Sequence, residues 1–282
     1  LYVSAERYPV VLVHGWKSHP GVWKRLISRL EEQDLAVWSF DHAVMSGAST
    51  SEIAGALQDY IAEQRDHSGY GGPVDLVCHC MGTCIARYMI EVMNSHTMEG
   101  EIRQLIGLGP PNNGSSIAEL FNDSCMGDDI IRKLHGVFVQ PGFDPAEDVI
   151  VQEFRPGSAM MKELASAGLR KDIPYRILLT ENRTQTPEFF RWFHGKTWAF
   201  SIESGWKQTY HGDGIVPHSD SFLPGAGFDI LPADPRTLEG NPEQYCHFML
   251  PKNEEIIRKV IDYLTDPQTQ PQEYCTSPVV DS

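Results

Sequence analysis

Apolar residues recur along this chain in two alternating rhythms. "YPVVLVHG" (Tyr8–Gly15) is an unbroken apolar run closed by glycine, the pattern of a strand buried on both faces. In "GVWKRLISRLEEQ", Val22, Leu26, Ile27 and Leu30 then fall on one face of a helix. "LAVWSFD" (Leu35–Asp41) reads as a second strand. Ser49 and Glu52 have capping-box spacing ahead of a helix that turns Ile53, Leu57, Tyr60 and Ile61 inward. "GGPVDLVCH" is a third strand, followed by a helix from Met81 to about Val92 with Ile85, Tyr88, Met89 and Val92 on one side. "RQLIGLG" (Arg103–Gly109) is a fourth strand. Strands alternating with helices predict an α/β fold with a mostly parallel central sheet flanked by helices.

The rhythm breaks at "PPNNGSS", a turn cluster. Residues 115–169 hold helix-like pieces, with Met126, Phe138, Val139 and Phe143 among their apolar residues, but no clear strand. The run is too long for a plain loop, so an inserted helical cap or lid is expected there. The sheet pattern resumes with "YRILLTE" (Tyr175–Glu181), "TWAFSI" (Thr197–Ile202) and "FDILPAD" (Phe228–Asp234). A last helix near 253–264 buries Ile256, Ile257, Val260, Ile261 and Leu264, and 266–282 reads as a solvated C-terminal tail. A single domain over 1–282 is expected.

Composition narrows the function. The 282 residues suffice for a sizeable core without staples. A net charge of −15 argues against nucleic acid or an anionic membrane surface as partner. No apolar run approaches the roughly 20 residues of a membrane span, so no integral membrane association is expected. No basic-then-apolar signal segment opens the chain, which starts at Leu1 rather than Met. The cysteines are Cys78, Cys80, Cys84, Cys125, Cys246 and Cys275, and three thiols within seven residues would make strained mutual disulfide partners. The expectation is therefore a reducing, cytoplasmic compartment.

The richest chemistry lies in "VDLVCHCMGTCIARYMIE" (Val74–Glu91), which reads as a strand, a sharp turn and a helix. Such a turn lifts its central side chain above the carboxyl edge of the sheet and needs small neighbours where strand and helix cross. Here the sequence is Cys78-His79-Cys80-Met81-Gly82, with cysteine at the tip and at the first flanking position. Zinc ligation by Cys78, Cys80, Cys84 and His79 is disfavoured, because Cys78 and Cys80 enclose one residue only and no second ligand pair stands out. No metal and no cofactor are expected. Cys78 and Cys84 read as buried packing, and Cys80 as a nucleophile at a helix N-terminus.

With "VVLVHGW", "VCHCMGTCIARY", "IGLGPPNNGS", "FRPGSAMMKEL", "GDGIVPHSDS" and "CHFMLPKNEEI" in order over residues 8 to about 264, the chain resembles the α/β-hydrolase superfamily of lipase and carboxylesterase type. Cysteine in place of serine at the elbow is the departure. The resemblance implies a nucleophile–acid–histidine order, and so a triad of Cys80, Asp213 and His247. It also implies an oxyanion hole made by the backbone N–H groups of Trp16 and Met81. His14, His79 and His218 are pocket candidates among the eleven histidines, and His211 also flanks the acid. The implied activity is hydrolysis of a small-molecule or lipid-like carboxylic ester through an acyl-enzyme. Acyl transfer or thioester hydrolysis by the same residues, a serine esterase altered to cysteine at this position, and a non-catalytic ligand-binding member of the superfamily stand as alternatives.

Overall fold

A computed structural model describes residues 7–266 and 269–274. Seven strands form one sheet: β1 (Val10–Val13), β2 (Val37–Phe40), β3 (Val74–His79), β4 (Ile102–Leu108), β5 (Tyr175–Thr180), β8 (Gly227–Leu231) and β9 (Glu273–Tyr274). Their spatial order is β2-β1-β3-β4-β5-β8-β9, and every pairing except β8 with β9 is parallel. The reversal from β2 to β3 on either side of β1 creates a crevice at the carboxyl edge, where open α/β sheets place their sites.

The strands β1 and β3 are buried along their whole length, β1 as its unbroken apolar run requires and β3 despite Asp75 and His79. Their side chains alternate between two layers. Val11, Val13, Leu76 and Cys78 face helices α2 (Thr50–Ser68) and α3 (Met81–Arg87). Val10, Leu12 and Val77 face α1 (Lys24–Glu31) and α9 (Glu254–Thr265). The polar Asp75 inside β3 is satisfied by Arg103 of the neighbouring β4 (Nε to Oδ1 2.8 Å). Helix α2 opens on the expected capping box, with the Ser49 amide donating to Glu52 at 2.8 Å and the Glu52 amide to the Ser49 hydroxyl at 3.3 Å.

Three departures from the sequence reading have local causes. "TWAFSI" does not join the main sheet. It forms β6 (Thr197–Ser201), which pairs with β7 (Gly205–Thr209) in a separate antiparallel hairpin. Its residues alternate between buried and half-buried, the one-sided pattern of a hairpin rather than of a central strand. Secondly, the helix that begins as α3 continues through a π-helical turn, Tyr88–Met93, and is buried on all sides up to Glu91. Thirdly, the expected tail contributes the edge strand β9, and the Gln272 amide donates to Asp229 at 3.1 Å. Residues 1–6, 267–268 and 275–282, with Cys275, lie outside the described residues.

Segment 115–169 carries four short helices: α4 (Ser116–Phe121), α5 (Gly127–Leu134), α6 (Val149–Glu153) and α7 (Ala159–Ala167). Before it, the "PPNNGSS" turn acts as a clamp on the chain around α8 (His218–Ser221). Asn112 Nδ2 donates to Ser221 O (2.7 Å), Asn113 N to Asp220 O (2.8 Å), and Ser116 N and Oγ to the Asp220 carboxylate (2.6 and 2.9 Å).

The same turn is tied to the long helix through a buried ion pair. Arg87 makes two 2.9 Å hydrogen bonds to Glu91 one turn on, and its third nitrogen donates to Asn112 O and Oδ1. Both charged side chains are essentially inaccessible, 2% and 0% exposed. Removing one partner strands the other in the core, which costs about 3–5 kcal/mol, whereas replacing both with apolar groups is near neutral. Glu91→Ala is therefore expected to lower unfolding free energy by about 3–5 kcal/mol, and Arg87→Met with Glu91→Leu to recover most of it. Urea denaturation of the three proteins checks this; equal losses in the single and double variants would contradict it.

Candidate active site

The strand β3 ends at His79, and Cys80 takes φ 54° and ψ −128° before α3 begins at Met81. This left-handed backbone is costly for a residue with a Cβ and is the geometry of a nucleophile elbow. Close packing enforces it. A Cβ on Gly82 would lie 2.5 and 2.6 Å from the carbonyl oxygens of Val13 and His14, and one on Gly15 would lie 2.9 Å from Cys80 Cβ. The Cys80 amide donates to Leu108 O at 2.9 Å, holding the tip against β4. The Cys80 side chain is partly exposed, in contrast to the fully buried Cys78 and Cys84. Burial pushes the Cys84 thiol up to about 12 and that of Cys78 well above its ordinary range, so both are inert packing.

Asp213 and His247 come together from loops far apart in sequence. His247 Nδ1 hydrogen-bonds Asp213 Oδ2 at 2.7 Å, and the His247 amide donates to Asp213 O at 2.9 Å. The other carboxylate oxygen accepts from the amides of Ile215 (3.0 Å) and Val216 (2.7 Å). Both side chains are buried. Gly109, at φ 54°, makes room for the pair: a Cβ there would lie 2.6 Å from Asp213 Oδ2 and 3.4 Å from His247 Nδ1. Burial opposes charge on His247 and is the largest single influence, but the Asp213 carboxylate, the charge of Cys80 and hydrogen bonds to both together outweigh it. The imidazole pKa is thereby raised from 6.5 to about 10.

Two cavities adjoin at Trp16 and Met81, the residues next to Gly15 and Cys80. One, of about 240 Å³, is walled by Phe121, Phe138, Phe154, Val216 and Phe248, and Cys80, His247, Trp16 and Met81 line it too. The other, of about 540 Å³, is lined by His14, His42, Lys17, Ser46, Glu147 and Asp148. It shares Trp16, Lys17 and Met81 with the first. Among the described residues, the amides of Trp16 and Met81 have no backbone acceptor.

The three histidine candidates part company. His79 lines the apolar cavity, stacks within 4.7 Å of the His247 ring, and hydrogen-bonds His247 O through Nε2 at 3.0 Å. Burial, and then the neighbouring His247, hold its pKa well below the usual value. His14 lines the polar cavity and stacks on His42 at 3.8 Å, where burial lowers both and takes His42 to about 4. His218 lines neither cavity. It is turned away, with Nε2 donating to Thr180 O at 3.0 Å. The turn that leads into α8 aims its side chain at β5, and residue spacing carried no sign of that. Sequence reasoning also missed His42, Asp148 and the group Glu181, His211 and His218, whose donor atoms lie within 4.8 Å of one another. The His-x₆-His spacing around Asp213 was a visible signal, but Glu181 lies 30 residues earlier than His211. Cys78, Cys84 and His79 form no such group among the described residues.

This sheet order with a nucleophile elbow defines an α/β-hydrolase fold. Solved structures bear the class out. The mature lipase BlEst2 of Bacillus licheniformis is 16% identical with a TM-score of 0.62, the match covering 92% of each chain. Phospholipase PlaB of Legionella pneumophila is 16% identical with a TM-score of 0.64, over 94% of this chain and 61% of that one. The monoacylglycerol lipase of Paleococcus ferrophilus is 15% identical with a TM-score of 0.52, over 91% and 93%. Against the propeptide form of BlEst2 the match spans 52% of that chain's length. At these identities the likeness is one of fold. No curated protein matches the sequence. The chain belongs to the family described as "Domain of unknown function (DUF7379)", whose model matches residues 4–174. The match takes in the elbow and segment 115–169 but stops short of Asp213 and His247.

The raised imidazole has a consequence for stability. A group whose folded pKa exceeds its unfolded value stabilises the fold fully below the unfolded value, and loses that contribution as pH rises through the folded one. For His247 the window runs from 6.5 to about 10. The difference in urea midpoint between the native chain and His247→Gln is expected to shrink steadily from pH 6.5 to pH 10. A difference that grows with pH would contradict the assignment.

Proposed function

We propose that the chain is a carboxylic ester hydrolase working through a Cys80–His247–Asp213 triad and a covalent acyl-enzyme. The observation that carries this reading is the buried 2.7 Å hydrogen bond between His247 and Asp213, beside a thiol held in a left-handed elbow. Cys80 attacks the ester carbonyl as thiolate, with His247 as imidazolium beside it. The backbone N–H groups of Trp16 and Met81 receive the developing oxyanion. His247 gives its Nε2 proton to the departing alcohol, then takes one from the water that attacks the acyl-thioester, and the thiolate leaves. Asp213 keeps the imidazole in the productive tautomer and balances its charge.

Sulfur shapes the choice of substrate. A thiolate is a weaker base than an alkoxide, so the tetrahedral intermediate collapses backwards unless His247 protonates the alcohol as it leaves. Aryl esters, lactones and thioesters escape this handicap. The apolar cavity of about 240 Å³ suits the acyl group, and the polar cavity of about 540 Å³ suits a polar alcohol portion, with segment 115–169 as cap over both. The similar structures, named as lipases and a phospholipase, agree with a small or lipid-like ester. Acyl transfer is the second reading, favoured by the sulfur itself, because the acyl-thioester is activated towards alcohols and amines as well as water.

Cys80→Ala and His247→Ala are each expected to reduce kcat/KM for p-nitrophenyl esters by at least about 10³-fold with unchanged circular dichroism. Substantial retained turnover in either would sink the triad. Product analysis with a labelled acyl donor and a competing alcohol separates the two readings: free acid as the main product supports hydrolysis, and ester alone supports transfer.

A further inference from the structure

The loop that carries Asp213 holds a second set of donor atoms on a different flank. Glu181 follows the last residue of β5, while His211 and His218 stand on the two arms of the acid loop. The arms are zipped together by the His218 amide donating to His211 O at 3.0 Å and by a Gly212–Pro217 bridge. His211 Nδ1 lies 2.8 Å from Glu181 Oε2, and His218 Nδ1 lies 3.9 Å from the same oxygen. His218 and Glu181 side chains are 7% and 9% exposed, while His211 is 59% exposed.

The hydrogen-bond pattern makes this a set of ligands rather than a simple ion pair. His218 Nε2 donates to the Thr180 carbonyl, so a neutral ring carries its lone pair on Nδ1. That lone pair lies 3.9 Å from a carboxylate oxygen that already accepts from His211, so a cation taking the place of the His211 proton would meet three ligand atoms at once. Anchoring the far imidazole nitrogen on a backbone carbonyl is the usual outer-shell arrangement of a metal-ligating histidine. Arg183 occupies the other oxygen of Glu181, leaving Oε2 as the single coordinating atom.

We propose that Glu181, His211 and His218 form a binding site for a divalent transition-metal ion, Zn²⁺ being the best match to two imidazole nitrogens and one carboxylate oxygen. In a tetrahedral zinc site, bonds of about 2.0–2.1 Å put ligand atoms about 3.3 Å apart. The 2.8 Å separation must open and the 3.9 Å one close, each by about half an ångström; rotation of the exposed His211 ring supplies the first, and a small shift of the Glu181 carboxylate towards His218 the second. Solvent completes the coordination on the His211 side. The ion would cross-link the end of β5 to both arms of the loop holding Asp213, acting as a structural brace. This site does not depend on the hydrolase reading, and its test reads metal binding directly.

The test is calorimetric titration of the chelator-stripped protein with ZnCl₂, paired with thermal unfolding. The native chain is expected to bind one equivalent more than His211→Ala, a surface substitution compatible with folding. Its Tm should rise by about 5–10 °C at a hundredfold excess of Zn²⁺ over Kd, with no such rise in the variant. Arg183→Gln, which removes a competing cation from Glu181, is expected to tighten binding about tenfold. Zinc taken up by Cys80 with His247, or by Cys125, is common to all the proteins and cancels in the comparison. Equal stoichiometry and affinity in the native chain and His211→Ala, or no uptake by the native chain below millimolar Zn²⁺, would overturn the proposal.

Discussion

The close crossing of α3 over the end of β1 is the constraint on which the rest of the molecule depends. With Gly82 almost touching the carbonyls of Val13 and His14, the chain between β3 and α3 has room only for a reversal through a left-handed residue, and Cys80 is that residue. Such a backbone costs roughly 1–3 kcal/mol. Around it β1, β3 and α3 are buried throughout, so the strain is held in place by the packing of the core. The same crossing sets Gly15 against Cys80. Trp16 and Met81, one residue beyond each, are thereby carried to the mouth of one cavity. The position of Cys80 and the placing of the Trp16 and Met81 backbones beside it are thus products of a single packing event.

How much of this was readable in advance follows from the range of the interactions. β1, β3 and the helices after them announce themselves through local period and local caps, and they were legible to within two or three residues at their ends. The elbow was legible because strain and small-residue demand are written in five consecutive positions. Asp213 and His247 could be matched to loops by resemblance, but their approach depends on Gly109, which clears space for both and which gave no signal of that duty. The "TWAFSI" stretch misled because an alternating strand fits a two-stranded hairpin as well as a sheet. Which of the two it joins is decided by Gly205 and the partner strand after it. His218 was placed near the site by its distance from Asp213 in sequence, whereas the turn between them rotates it onto Thr180.

Segment 115–169 and the loop after β1 are coupled through one carboxylate. Asp148 caps α6 by accepting from Val151 N at 3.1 Å, accepts from the Trp16 indole at 3.3 Å, and pairs with Lys17 at 3.0 Å. The Trp16 ring also sits among Phe121, Phe138 and Phe143 of the same segment. Any outward movement of the segment must break these contacts or drag the Trp16 turn with it. The turn beside Cys80 and segment 115–169 are thereby tied into one packed unit, with the Trp16 side chain as the link.

The acid loop is restrained differently, by several anchors of separate origin. The Gly214 amide donates to Thr197 Oγ1 at 2.8 Å, and Gly214, at φ 98°, lies against the Phe190 ring with no space for a side chain. Asp220 fastens the far end of the loop to Ser116. Within the loop, Ile215 and Val216 fix one oxygen of Asp213 so that the other is presented to His247. A carboxylate with one oxygen held by two amides has little freedom to swing, and this matters more than the strength of any one bond. An imidazole held at Nδ1 by such a carboxylate keeps its Nε2 edge in one orientation, whatever passes through the cavity in front of it.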